Sequence, residues 1–252
     1  MKNNSWTITA AFIRILTGYA IVLGFPQSTI AQLQVGLQVG IDQNYLALKN
    51  KTVRDFTYYE EKNGYMAGLM LRYSLNRYLS LGVEPAWITK NYQLKRRGYY
   101  SGVFQATENT YLQLPLVFNT SVSYRRFVLG LTAGGYTAFW LRSKNKGKIP
   151  NISDLSAQPD GFEQVFEDMQ AFRYEENYQL SSKRDRRHEW GLLLGLDLHY
   201  QFAPSLAVFV APRYYYALTG QVRHYAAGLE QRFNETSAIS AGLVLNIHPT
   251  RK

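Results

Sequence analysis

The sequence predicts an all-β fold: an eight-stranded antiparallel up-and-down transmembrane β-barrel with short periplasmic turns and long extracellular loops. Three observations predict it. In the stretch Trp190–Phe202 the even positions Trp190, Leu192, Leu194, Leu196, Leu198, Tyr200 and Phe202 are all apolar or aromatic. The odd positions are Gly191, Leu193, Gly195, Asp197, His199 and Gln201. A period of two marks a strand, because successive side chains leave opposite faces. The polar face is too small and hydrophilic to form a core, while the other is a continuous greasy ladder, so lipid lies outside and a polar lumen inside. The second observation is that connections alternate between short and long. The third is an export signal at the N-terminus.

That signal covers residues 1–31. Lys2 and Arg14 supply positive charge, Ile15–Phe25 an apolar run, and Ala31 a small residue before Gln32. The run is shorter than the roughly 18–20 residues that a membrane helix needs, which separates a cleavable Sec-type signal from a transmembrane span. Removing these 31 residues from 252 leaves a barrel domain of 221, residues 32–252. Twenty Tyr and four Trp suit the aromatic girdles of a membrane barrel. Cysteine is absent, which excludes disulfides and thiolate chemistry.

The elements follow in order. Strand one, Leu33–Asp42, alternates Leu33, Val35, Leu37, Val39 and Ile41 outside with Gln34, Gly36, Gln38, Gly40 and Asp42 inside. A loop over 49–63 leads to strand two, Tyr65–Leu75, and a tight turn at Asn76–Tyr78 to strand three, Leu79–Tyr92, where Pro85 suggests a bulge. A loop over 94–109 precedes strand four, Thr110–Val122, which turns at Ser123–Arg126 into strand five, Phe127–Arg142. Within strand five a glycine bulge at Gly134-Gly135 is expected to carry Tyr136, Ala138 and Trp140 outward. The long extracellular loop 143–187 separates it from strands six and seven, the hairpin of Glu189–Gln221. A loop over 221–234 and strand eight, Ser237–His248, complete the chain. The short connections follow strands two, four and six, as an up-and-down barrel with a periplasmic N-terminus requires.

Four stretches resemble the PorT-like outer-membrane β-barrel proteins of the Bacteroidota: Tyr111-Leu-Gln-Leu-Pro-Leu116, Gly134-Gly-Tyr-Thr-Ala-Phe-Trp-Leu141, Trp190–Tyr200, and Arg213-Tyr-Tyr-Tyr-Ala-Leu-Thr219. An Ala-Gln signal junction like Ala31-Gln32 is common in that phylum. The resemblance implies an outer-membrane location and a barrel. The family takes its name from a component needed for type IX protein secretion, so a part in that secretion or gliding machinery is one implied function. The charged loop 143–187 and the terminal His248-Pro-Thr-Arg-Lys252 depart from the family pattern.

Inside the barrel, charge is sparse and placed. Pairing Leu75 with Leu79 sets Arg72 diagonal to Glu84; pairing Phe202 with Leu206 sets Asp197 diagonal to Arg213. Diagonal neighbours are roughly 7–8 Å apart at the backbone, within reach of an arginine. Two lumen ion pairs are therefore expected, joined by Gln113, Asn119 and His199 into a network that plugs the lumen, a narrow conduit being the rival. The four histidines offer a base, yet no G-x-S-x-G or other nucleophile signature accompanies them, so no catalytic residue is assigned. No spaced His or carboxylate set points to a metal, and no cofactor is implied.

Two loop features bear on partners. Phe162, Val165, Phe166, Met169 and Phe172 form one stripe of a short helix, which either caps the barrel rim or docks an envelope protein. Lys95, Arg96, Arg97, Arg184, Arg186 and Arg187 stand near strand ends, where they either clasp lipopolysaccharide phosphates or remain solvated. The net charge of +10, or +8 without Lys2 and Arg14, suits anionic headgroups or acidic partners. Nucleic acid is not a partner expected of an exported chain. The function expected is a non-catalytic outer-membrane anchor or interaction module in an envelope assembly, with a small passive pore as the alternative from another class.

Overall fold

The computed structural model describes residues 33–48, 57–97, 101–150, 171–223 and 231–247. The expected export signal, residues 1–31, lies outside them. Eleven strands occupy the described residues: β1 (Leu33–Leu48), β2 (Thr57–Ser74), β3 (Leu79–Val83), β4 (Ala86–Thr89), β5 (Tyr92–Arg96), β6 (Phe104–Tyr124), β7 (Phe127–Pro150), β8 (Ala171–Tyr178), β9 (His188–Ala203), β10 (Leu206–Ala217) and β11 (Arg232–Ile247). They form one antiparallel sheet. β1 pairs with β2, and β2 with β3, β4 and β5 in turn. Those three pair with β6, which runs beside β7. β7 takes β9 along its first half and β8 along its second. β9 pairs with β10, β10 with β11, and β11 returns to β1 from Leu33↔Ile247 to Leu48↔Arg232. The pairings thus form a closed circuit.

The seam between first and last strands is fastened by side chains as well as backbone. Gln34 donates to Asn246 at 3.0 Å, Asn44 to Asn234 at 3.1 Å, Thr236 to Asn44 at 2.7 Å and Ser240 to Gln38 at 3.1 Å.

The amphipathicity is inverted, as the alternation requires. Leu37, Val39 and Ile41 are 58–65% exposed, whereas Gln38, Asp42 and Asn44 are at most 5% exposed. The same holds on β9, where Trp190, Leu192, Leu194, Leu196 and Leu198 point out and Asp197 and His199 are buried. No described helix is long and apolar enough to cross a membrane, which has no bearing on crossing by strands.

Four expectations are corrected. Pro85 interrupts bonding between β3 and β4 without a bulge: Leu71↔Val83 and Gly68↔Ala86 keep one register. The Pro85 carbonyl still accepts from Leu69 N–H at 2.9 Å. The slip comes later, where Met66↔Ile88 gives way to Glu61↔Tyr92 and Lys90, Asn91 and Tyr92 are buried in succession. At Gly134-Gly135 the register is unbroken, so Tyr136, Ala138 and Trp140 face inward and are buried. The irregularity sits instead at Thr110/Tyr111, which pair with Arg142 and Trp140 and leave Leu141 as the extra residue. Gly191, opposite Tyr136, makes this possible, because a side chain there would collide with the Tyr136 ring.

Third, the strands outrun the expected loops: β2 begins at Thr57, β6 at Phe104, β7 reaches Pro150, and β8 lies wholly within the expected 143–187 loop. Beyond the greasy band the outward face meets water, so Lys144 and Lys146 replace the apolar residues by which a spanning strand is recognised. Fourth, Phe172 is not helical but a β8 residue paired with Ile149. Phe162, Val165, Phe166 and Met169 lie outside the described residues.

Candidate functional site

The interior carries two charge clusters at different heights. In the first, the hairpin registers place Arg72 opposite Gly82, with Glu84 two residues on. A side chain at Gly82 would lie 2.6 Å from Arg72 Cγ, so the glycine leaves the arginine room to run along the wall. Arg72 Nη2 meets Glu84 Oε1 at 2.5 Å and Asp197 Oδ1 at 3.2 Å. Arg213 Nη2 meets the same Asp197 oxygen at 2.6 Å and Glu84 at 3.6 Å. Asn119 donates to Asp197 Oδ2 at 2.7 Å, and the Thr132 hydroxyl donates to that oxygen too. Two guanidiniums thus face two carboxylates, all nearly fully buried. Such burial is tolerable only because each charge is paired and hydrogen-bonded.

Arg213 has a second task, in the wall itself. Proline has no N–H, so Pro212 cannot bond to the carbonyl across the ladder, and the pairing of β9 with β10 lapses between Val210↔Leu198 and Arg213↔Gly195. Arg213 Nη1 donates to the Leu196 carbonyl at 2.6 Å. The guanidinium covers a backbone acceptor that hydrocarbon would otherwise leave unsatisfied.

Of the expected network residues, Arg72, Glu84, Asn119, Asp197 and Arg213 come together. His199 and Gln113 do not join them. The His199 ring stacks on Phe209 at 5.4 Å, and Gln113 is buried with Oε1 lacking a hydrogen-bond partner. Thr132 joins unexpectedly.

The second cluster was not anticipated. Lys90 Nζ meets Glu189 Oε1 at 2.5 Å and lies over the rings of Tyr136 and Tyr111, at 4.8 and 5.1 Å. Tyr136 donates to Glu189 Oε1 at 2.9 Å and Asn234 to Oε2 at 2.5 Å; Gln221 donates on to Asn234 at 3.2 Å. Between the clusters Met66 on β2, Ala86 and Ile88 on β4, and Leu193 on β9 face inward, with the buried Gln113 opposite Ala86. Parity holds the missed signal. Even positions of strand three face inward, and the same count continued reaches Lys90; odd positions of β9 continued backward reach Glu189.

The basic residues divide into two groups at the loop end. Lys95 pairs with Glu60 at 2.6 Å, Arg96 donates to Thr57 at 2.5 Å, and Arg97 covers the Tyr58 ring at 4.4 Å. Arg184 meets Asp185 at 3.3 Å and covers Tyr178 at 4.9 Å. Arg187 donates to the Trp140 carbonyl at 3.2 Å and lies over Phe139, while the Arg186 N–H donates to the Gln221 carbonyl at 2.8 Å. Burial, then the bond to Asp185, pushes the Tyr178 hydroxyl up to about 12, so it remains a donor at neutral pH. Among the described residues no group of His and carboxylate side chains is arranged to hold a metal.

Residues 25–221 match the family described as outer membrane protein beta-barrel domain. No curated protein matches the chain. Among solved structures, Neisserial surface protein A is similar at 11% identity and a TM-score of 0.41, over 84% of this chain and 97% of that one. The attachment invasion locus protein Ail of Yersinia pestis, with a heparin analogue bound, is similar at 14% identity and a TM-score of 0.38, over 84% and 99%. The outer membrane protein AlkL is similar at 12% identity and a TM-score of 0.44, over 90% and 96%.

Proposed function

Because this chain belongs to the outer membrane protein β-barrel domain family, we propose that it is a non-catalytic anchor or interaction module of a cell-envelope assembly. The observation that carries the reading is the filled interior. Two charge clusters with Met66, Ala86, Ile88 and Leu193 between them occupy the space that a solute path needs. An eight-stranded barrel is narrow enough for side chains to fill, and we count eight staves here. β3, β4 and β5 succeed one another between β2 and β6, and β8 and β9 succeed one another along β7. The tight turns at 75–78, 125–126 and 204–205 then face the periplasm and the longer connections the exterior. Arg184, Arg186 and Arg187 present cationic groups on that outer side, suited to lipopolysaccharide phosphates or acidic partners.

Sec-type export through residues 1–31 and membership of the PorT-like group of Bacteroidota belong to the same proposal, supported by the four stretches that carry the resemblance. A part in type IX secretion or gliding is its more specific form.

The test has two arms. Reconstituted in planar bilayers, the protein is expected to show no stable conductance, and steps of nanosiemens size would refute the plug. Native complexes extracted in mild detergent are expected to migrate well above the lone barrel, and charge reversal at Arg184, Arg186 and Arg187 to return them toward it. Migration as a lone barrel from untreated envelopes would refute the assembly role.

A further inference from the structure

Above the Lys90–Glu189 cluster the interior ends in a polar cleft of about 350 Å³, room for one sugar-sized molecule. The geometry points to a binding site there for a small hydroxylated carboxylate of the sugar-acid class. The inference stands apart from the proposed assembly role.

Beneath the cleft sit the paired charges of Lys90 and Glu189. Tyr111, Trp140 and Tyr178 form a continuous stack from that cluster toward the rim, with ring centroids 5.8 and 6.3 Å apart and planes within 13° of parallel. A molecule entering from the loop end meets Tyr178 and Trp140 and then the filled interior below them.

The walls are preformed. Two segments far apart in sequence are joined at the rim: Arg186 N–H donates to the Gln221 carbonyl at 2.8 Å, and Arg223 N–H to the Arg184 carbonyl at 3.1 Å. Asp185 bridges to Val222 between them, and Gln221 N–H donates to the Arg232 carbonyl at 2.8 Å. The Asp185 carboxylate accepts from Ser181 N–H at 2.7 Å and from Tyr178 at 3.0 Å, which pins the first segment. A ligand need order little of this before it binds.

The lining holds one buried donor without an acceptor. Arg232 lines the cleft; its side chain is hydrogen-bonded to Tyr92, while its buried Nε has no hydrogen-bond partner. A buried donor left in this state costs free energy until an acceptor reaches it. Arg184 adds a second guanidinium, which is 45% exposed. Asp185 is engaged by Ser181, Tyr178 and Arg184, and the exposed Glu176 accepts from Asn145 at 3.4 Å, so Arg232 is the cation of the lining that neither carboxylate pairs. A carboxylate on the ligand answers the guanidiniums. Its hydroxyls answer Gln105, Thr107, Asn145 and Gln221, which supply amide and hydroxyl groups around the same space.

The full chain, folded in detergent, can be titrated with glucuronate and with glucose, which share a ring and differ in the carboxylate, with acetate as the plain anion. Calorimetry is expected to show saturable glucuronate binding, at least about tenfold tighter than glucose or acetate, equivalent to about 1.4 kcal/mol. Arg232→Gln is expected to weaken glucuronate at least about tenfold with folding checked by gel mobility. Arg184→Gln, at a half-exposed position, gives the same test should the first variant misfold. Trp140 borders the cleft, so Trp140→Phe is expected to abolish a ligand-induced fluorescence change while calorimetric binding persists. Absence of saturable glucuronate binding, equal binding of acetate or glucose, or indifference to both arginine substitutions would overturn the site.

Discussion

Asp197 is the residue on which the first charge cluster turns. It takes both Arg72 and Arg213 on one oxygen, at 3.2 and 2.6 Å, and Asn119 and Thr132 on the other. Asp197→Asn keeps the shape and removes the charge, leaving two buried guanidiniums against Glu84 alone. Breaking a buried pair by neutralising one member costs about 3–5 kcal/mol, because an uncompensated charge stays behind. Adding Arg72→Met restores neutrality: Glu84 and Arg213, already 3.6 Å apart, remain as one pair, and Arg213 keeps its bond to the Leu196 carbonyl. The double variant is therefore expected within about 1–2 kcal/mol of the parent, more stable than Asp197→Asn alone. Urea unfolding in micelles measures this, read by fluorescence from the outward-facing Trp87 and Trp190, which move from lipid to water. A single variant within about 1 kcal/mol of the parent, or a double variant whose loss is the sum of its parts, would refute the charge-balance reasoning.

Two further outcomes are expected. Leu196→Arg, midway along the outward ladder of β9 and 49% exposed, is expected to cost about 2–4 kcal/mol in bilayer vesicles; equilibrium unfolding measures it, and a loss near zero would mean that this face meets water. Gly191→Ala would push a methyl group against the Tyr136 ring and the Tyr216 carbonyl, so a loss of about 1–3 kcal/mol is expected from the same titration.

Much of the first cluster was legible because two simple rules act together there. Alternation assigned Arg72, Glu84, Asp197 and Arg213 to the inner face, and tight turns fixed the hairpin registers that bring each pair diagonal. The Lys90–Glu189 pair obeyed the same parity but lies where the apolar ladder fades and β4 gives way to β5, so nothing in local composition marks it. Trp140 and Tyr136 depart from the outward position that the sequence predicts because the inner face is not uniformly small and polar. Bulky rings fit there only because Gly191 is vacant beside Tyr136, a complementarity across two strands that no single segment displays. β8 escaped for a different reason. Its neighbours are water and the polar end of β7, and Phe172-Arg-Tyr-Glu-Glu-Asn-Tyr178 carries no alternation of the kind that hydrocarbon imposes.

The fastening of β1 to β11 bears on how such a chain reaches its membrane. Until the final segment arrives, Gln38, Asn44 and the buried ions have no enclosure, and a partial sheet would present them to acyl chains. Insertion and circularisation are consequently expected to be coupled: closure by the sixteen-residue β11 encloses the polar face as lipid covers the apolar one, and a sheet lacking that strand suits neither water nor hydrocarbon.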